Sequence, residues 1–184
     1  VAVPIRPTLA DGLAVGRVGD LPFAIAAPLV DRVVTVDEAD LSLAVVRLLE
    51  LEKTVVEGAA ASALAAVLDG RCPELAGRRV VLLLCGGNID LSILDRVIDK
   101  GLVADGRRWR FSARISDRPG GIARLTAAIA AAGANVREVV HDRSFSGADV
   151  FSTAVEVTVE TAGHEHVASL AAALAAEGFE LRPA

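Results

Sequence analysis

The chain has 184 residues, of which 53% are hydrophobic, 23% charged and only 3% aromatic, with a net charge of −5. That length suits one or two domains with a buried core, and the composition excludes intrinsic disorder. The acidic balance and an aromatic set of five Phe and one Trp exclude a charged or base-stacking platform for nucleic acid and leave no attraction to an anionic membrane. Two cysteines, Cys72 and Cys85, argue against a disulfide scaffold and for a reducing, cytoplasmic compartment. No basic stretch precedes a continuous apolar segment, so no signal peptide is expected. The longest strongly apolar run, residues 80–85, is too short to span a bilayer. The chain contains no Met, and Val1 opens in what reads as mid-domain sequence. The expectation is therefore that the polypeptide starts upstream of Val1.

Two regions differ in periodicity. The first, about 1–106, alternates β-like runs with helical patterns. Residues 33–36 form a β-branched run, and Asp37 follows as the expected N-cap of a helix near 38–53. Leu41, Val45, Leu48 and Leu49 share one face of that helix. A second, Ala-rich helix runs from near Glu57 to Leu68 and ends at Asp69-Gly70. Residues 80–85, Val-Val-Leu-Leu-Leu-Cys, are apolar on both faces, as expected of a buried parallel strand. Gly86-Gly87-Asn88 is the turn after it. Residues 90–100 form the next helix, with Ile93, Leu94, Val97 and Ile98 inward and Gly101 as its stop. This order predicts a doubly wound α/β region.

The second region, about 109–184, opens on Trp109, Phe111, Ala113 and Ile115 alternating with polar residues. That is a strand with one wet face. A turn at 117–121 leads into a helix with Ile122, Leu125, Ile129 and Ala132 on one stripe, closed by Gly133. A strand at 135–143, a polar hairpin at 144–149 and a strand in which Phe151, Val155, Val157 and Val159 alternate with Ser152, Ala154, Glu156, Thr158 and Glu160 follow. A helix at 164–177 buries Val167, Leu170, Ala171 and Leu174, and residues 179–182 make a last short strand. The order is βαββαβ, a split βαβ of ferredoxin-like type, with strands one and three as the central pair. The boundary is set at 105–108.

Chemistry has four candidate places. Cys85-Gly86-Gly87-Asn88 stands at the carboxyl end of the expected strand, where open α/β sheets bind ligands. The glycines let backbone come close to a flat or charged group, Asn88 could cap the next helix, and Cys85 would offer a thiol. The plainer alternative is a tight turn with Cys85 as a small core residue. Glu57 is either a helix N-terminal charge or a carboxylate facing a pocket. Asp11-Gly12 reads as a turn and is uninformative alone. Asp117, Arg118, Pro119, Gly120 and Gly121 form a strand-to-helix turn whose N–H groups could hold a carboxylate, or an ordinary βα turn. His141, His164 and His166 have no metal-site spacing and are expected to be solvated. No metal site is expected.

The stretches PTLADGLAV, VVTVDEADL, VVEGAAASALAAVL, LLLCGGNIDLSILDRVIDKGL, DRPGGIARL and AGANV, in that order, resemble the carboxyl-terminal portion of the threonine dehydratases (threonine ammonia-lyases). The resemblance is to the shorter, catabolic-type form with one carboxyl-terminal ACT domain, and it covers nearly the whole chain. It implies a fold type II pyridoxal phosphate enzyme that removes water and then ammonia from threonine, and often serine, giving a 2-oxo acid.

Carried over residue by residue, Cys85 takes the position that hydrogen-bonds the pyridine nitrogen, where Ser is commoner. Gly86 and Gly87 pass beside the ring, Glu57 lies near it, and Gly12 lines the cofactor pocket. Asp117, Arg118, Pro119, Gly120 and Gly121, with Asn135 from a partner chain, match ACT elements that bind effector amino acids. The resemblance thus divides the chain into a carboxyl-terminal part of the catalytic domain at 1–106 and an ACT regulatory domain at 109–184. It implies a homo-oligomer whose amino-terminal half carries the cofactor-bearing lysine and the phosphate loop. Lys53 and Lys100 are the only lysines and neither lies in an SxKxRG-like context. No catalytic residue is therefore expected within these residues, and the chain alone is expected to be inactive. Two rivals remain open: a non-catalytic amino-acid-binding ACT module, and a purely structural dimerisation domain.

Overall fold

A computed structural model describes residues 2–141 and 151–183. The chain divides into two units, Val1–Ala104 and Asp105–Ala184.

The first unit carries helices α1 (Asp20–Ala26), α2 (Glu38–Arg47), α3 (Gly58–Leu68) and α4 (Leu91–Ala104), with single 3₁₀ turns at Asp11–Leu13 and Pro73–Leu75. Asp37 is the N-cap of α2, and its N–H donates to the Asp40 carboxylate at 3.3 Å. Beyond Arg47 the helix widens into a π-type turn at Leu48–Glu52 and stops at Lys53, whose backbone is left-handed at φ 55°. The Lys53 ammonium donates to the Glu50 carbonyl at 2.5 Å, filling one of the acceptors a helix end leaves open. Leu41, Val45 and Leu48 are buried against Ala60, Ala61 and Ala65 of α3 and Val97 of α4. The small side chains of α3 let its axis approach α2 closely.

Gly101 does not stop α4. It lies inside the helix and is buried. A Cβ there would stand 2.5 Å from Val46 Cγ2 and 2.9 Å from the Ser42 carbonyl oxygen. The glycine serves the contact between α4 and α2, and that reason lies far from it in sequence.

The strands expected at 33–36 and 80–85 do not form. No residue of the first unit's described part joins a β-ladder, so the doubly wound parallel sheet is not built within it. Residues 80–85 form neither helix nor strand, with Val81 92% and Leu83 75% exposed, while Leu84 packs on the core edge. An apolar run specifies burial but not a partner, and a lone extended segment has no neighbour to receive its N–H and C=O groups.

In the second unit, β1 (Arg108–Ser116), α5 (Gly121–Ala131), β2 (Asn135–His141), β3 (Ser152–Glu160), α6 (His164–Ala176) and β4 (Glu180–Pro183) follow the expected order. The sheet is antiparallel with strand order β2-β3-β1-β4, so β1 and β3 are central. Phe111 pairs with Val157 and Ala113 with Val155, all fully buried. Leu125 and Ile129 of α5 and Leu170 and Leu174 of α6 close the same core. The hairpin expected at 144–149 lies outside the described residues.

Two of the three histidines, His141 and His166, are less solvated than expected. His166 Nδ1 accepts the Ala162 N–H at 3.0 Å, and its Nε2 lies 2.9 Å from the Ala132 carbonyl oxygen. A carbonyl only accepts, so Nε2 is the donor of this pair. The ring ties the end of α5 to the turn before α6. His141 is half-buried, with Nε2 3.9 Å from Asp117 Oδ1. His164 is exposed and backs onto Gly106, where a Cβ would meet its main-chain nitrogen at 2.7 Å.

Candidate cofactor site

Three separated motifs of the first unit meet at the Glu57 carboxylate. Glu57 is the N-cap of α3, yet its side chain makes no bond to its own helix. Its Oε2 accepts the main-chain N–H of Asn88 at 3.2 Å, and its own N–H donates to the Gly86 carbonyl at 3.2 Å. Gly86 has φ 144°, and a Cβ on it would lie 2.5 Å from both Cδ and Oε1 of Glu57. A Cβ on Gly87 would come 3.1 Å from the Val55 carbonyl oxygen. Residues 86 and 87 therefore run close beside residues 55–57, and the φ of Gly86 is one that favours glycine.

Gly12 completes the group. Its N–H is received by the Asp11 carboxylate at 2.8 Å, and a Cβ on it would sit 3.5 Å from Glu57 Oε1 and 3.2 Å from Ala59 Cβ. Gly12, Glu57, Gly86 and Gly87 are thus neighbours. Cys85 is exposed, which removes its alternative as a core residue. Asn88 does not cap α4 with its side chain in any bond seen here. Asp90 holds that start, accepting the Ser92 N–H at 2.7 Å and its hydroxyl at 2.5 Å. Those two donors, the hydroxyl first, hold the Asp90 carboxyl below the usual carboxylate range.

Sequence reasoning missed what supports Gly12 from below. A Cβ on buried Gly58 would lie 2.3 Å from the Leu9 carbonyl oxygen, so α3 starts hard against the segment before Gly12. Glu38, in the first turn of α2, takes the Leu9 N–H at 3.0 Å and also pairs with the Thr8 hydroxyl. The only local signal was an acidic residue at a helix start.

The second unit's candidate residues fall in two places. The 117–121 turn follows β1. Gly120 is the N-cap of α5 at φ 94°, and a Cβ on Gly121 would overlap the Ser116 carbonyl oxygen at 2.1 Å. The Asp117 N–H donates to the Phe151 carbonyl at 3.0 Å, and the Arg118 guanidinium lies 5.7 Å from the Phe151 ring centroid. Pro119 is exposed in the same turn. Asn135 opens β2 and donates from Nδ2 to Glu160 at 3.0 Å. Glu160 pairs with Arg108, the first residue of β1, whereas the turn follows Ser116, its last. One copy of the chain therefore holds Asn135 at the opposite end of the sheet from Gly120.

Residues 1–86 match the model of the family of pyridoxal-phosphate dependent enzymes. The L-threonine ammonia-lyase of Thermotoga maritima is 40% identical over 177 residues, covering 96% of this chain and 44% of that protein. The L-threonine ammonia-lyase of Geobacter sulfurreducens is 42% identical over 179 residues, covering 97% of the chain and 44% of that protein. The catabolic L-threonine dehydratase of Escherichia coli is 41% identical over 91 residues, 49% of the chain and 28% of that protein.

The chain is similar to the L-threonine ammonia-lyases. It spans less than half the length of the curated relatives that it matches along nearly all of its own. The cofactor this kinship implies is pyridoxal phosphate. The residues present fit one wall of a site for it. A flat ring needs backbone that can come close, which the Gly86-Gly87 turn offers, and a group for its ring nitrogen, which an exposed thiol beside that turn can supply. Among the described residues no His, Cys, Asp and Glu cluster could hold a metal ion, and no helix is long and apolar enough to cross a membrane.

Proposed function

We propose that the chain is the carboxyl-terminal portion of a cytoplasmic pyridoxal phosphate-dependent threonine ammonia-lyase, acting on threonine and on serine to give a 2-oxo acid and ammonia. The observation that carries this is the meeting of Gly12, Glu57, Gly86 and Asn88 at one carboxylate, next to an exposed thiol. Cys85 would face the ring nitrogen, and Gly86 and Gly87 would lie along the ring edge. Bound there, pyridoxal phosphate supplies the electron sink that elimination requires. A thiol brings no carboxylate-like charge to the ring nitrogen, which suits elimination better than amino-group transfer.

The amino-terminal half is the partner this reading requires. Lys53 donates to the Glu50 carbonyl, Lys100 lies in α4, and neither sits in an SxKxRG-like context. The exposed apolar side chains support the same partner. Among the described residues, the large exposed hydrophobics fall in the first unit with the exceptions of Val140 and Phe151. Such a surface needs a covering polypeptide. The second unit is read as an ACT domain for regulation or oligomerisation, on the strength of its strand order. With Asn135 and the 117–121 turn at opposite ends of one sheet, an effector site formed from both needs a second copy.

The test is to assay the 184 residues with and without the amino-terminal half fused to them. Retention of pyridoxal phosphate and formation of 2-oxobutanoate from threonine by the fusion alone is the expected result. A fusion that does neither overturns the reading. A second reading, a non-catalytic amino-acid-binding module, is favoured by the lack of a lysine in the motif context. Calorimetry with isoleucine, valine, serine and threonine separates them: binding without turnover supports the module, and a purely structural dimerisation domain binds none.

A further inference from the structure

The Glu57 carboxylate has three roles open to it: cap of its own helix, proton-transfer group, or holder of another segment. The first is absent, since no bond runs from the side chain to α3. The geometry bears on the other two. Glu57 and the 86–88 turn exchange two hydrogen bonds, one in each direction: main-chain N–H of Glu57 to the Gly86 carbonyl, and main-chain N–H of Asn88 to Glu57 Oε2, both at 3.2 Å. In a β-ladder the second acceptor would be a main-chain carbonyl. Here a side-chain carboxylate takes its place, at a turn that has no strand neighbour. The turn also closes on itself, with the Ile89 N–H on the Gly87 carbonyl at 3.0 Å, and Ile89 packs against the core. Cys85 stands at the free end of this arrangement.

The spacing leaves no slack. With Gly86 at φ 144° and its missing Cβ only 2.5 Å from the Glu57 carboxyl carbon, the carboxylate rests directly on the turn's backbone. Any other residue at 86 would both strain the backbone and displace Glu57.

We propose that Glu57 is a positioning residue: by accepting the Asn88 N–H it fixes the 85–88 turn, and thereby sets where the Cys85 thiol stands. That this matters for a cofactor ring rests on the reading of Cys85 given above, but the positioning itself does not. The role requires an acceptor at the end of a three-carbon reach, not a negative charge and not a proton carrier. An amide of the same length can serve; a carboxylate one methylene shorter cannot.

The experiment uses the 184-residue chain with Cys72→Ser, leaving Cys85 as its one thiol. Glu57→Gln, Glu57→Asp and Glu57→Ala are compared by hydrogen exchange at the Asn88 amide and by the rate of Cys85 labelling with a maleimide. Loss of a single hydrogen bond at an exposed turn raises exchange by about tenfold. That rise is expected for Ala and Asp, with a severalfold change in labelling rate, whereas Gln stays within about twofold of the parent on both readouts. Asp remains a good N-cap for α3, so it keeps the test informative if Ala weakens the helix. Unchanged exchange and labelling in Asp overturns the proposal. So does a Gln variant that behaves like Asp, because it would assign the effect to charge. Neither readout involves pyridoxal phosphate, so failure of the lyase reading and failure of this one are seen separately.

Discussion

Cys85 is exposed beside a turn built of two glycines, where its side chain can act as a hydrogen-bonding group. Serine has the same capacity and nearly the same reach. In the lyase completed by its amino-terminal half, Cys85→Ser is expected to keep activity, and Cys85→Ala to lose roughly tenfold in kcat/KM, the worth of about one hydrogen bond in the transition state. Equal activity of the Ala variant would remove the thiol from the site.

Asp90 offers a prediction in pH. Its two donors from Ser92 favour the ionised carboxyl, so its folded pKa is lowered relative to the unfolded chain. For a lowered carboxyl the added stability is present above the unfolded value and is lost as pH falls through the folded one. Ser92→Ala removes the hydroxyl, the larger cause, and the Asp90 titration followed by NMR should move up toward the ordinary carboxylate range. A titration that stays in place would leave the backbone N–H as the whole cause.

At the scale of elements, the two units differ in how far local pattern determines structure. Strand β1 alternates more and less buried residues from Arg110 on, β3 does so up to Val157 with Thr158 buried as well, and their partners lie within the same unit. A period of two writes both the strand and its inner face into the sequence, so their central position follows from the order of elements. Residues 80–85 carry no such alternation. They signal burial alone, and the described residues provide no strand beside them.

The same limit governs the site. Its glycines and Glu57 were visible as motifs, but the direction of the Glu57 side chain was not, because it depends on a turn 31 residues away. Gly101 was misread as a stop for a similar reason. Its neighbours Val46 and Ser42 belong to α2, and nothing near 101 in sequence announces them. Gly101→Val should therefore destabilise the first unit through overpacking, by about 1–3 kcal/mol or more. Denaturant unfolding of the variant measures this, and a midpoint equal to the parent's would show that α2 and α4 have room to part.

For the whole molecule, the distribution of apolar surface separates the units. The second unit closes its sheet over a core of Phe111, Leu125, Ile129, Val157, Leu170 and Leu174, each fully buried. The first unit has a core of its own but leaves Val33 81%, Val81 92% and Leu29 76% exposed. On the reading proposed above, these apolar groups are where the amino-terminal half would cover the chain. Residues 105–184 expressed alone are therefore expected to unfold in one cooperative transition and to bind little of a hydrophobic dye such as ANS. The full 184 residues are expected to bind the dye strongly, and to lose that binding when the amino-terminal half is supplied. The second unit also ends its sheet on β2 and β4, whose outer edges are unpaired among the described residues. Pairing of such an edge with a second copy satisfies main-chain groups that otherwise face water. Light scattering of residues 105–184 should then give at least twice the monomer mass. A monomer with low dye binding would assign folding to this unit and assembly to the first.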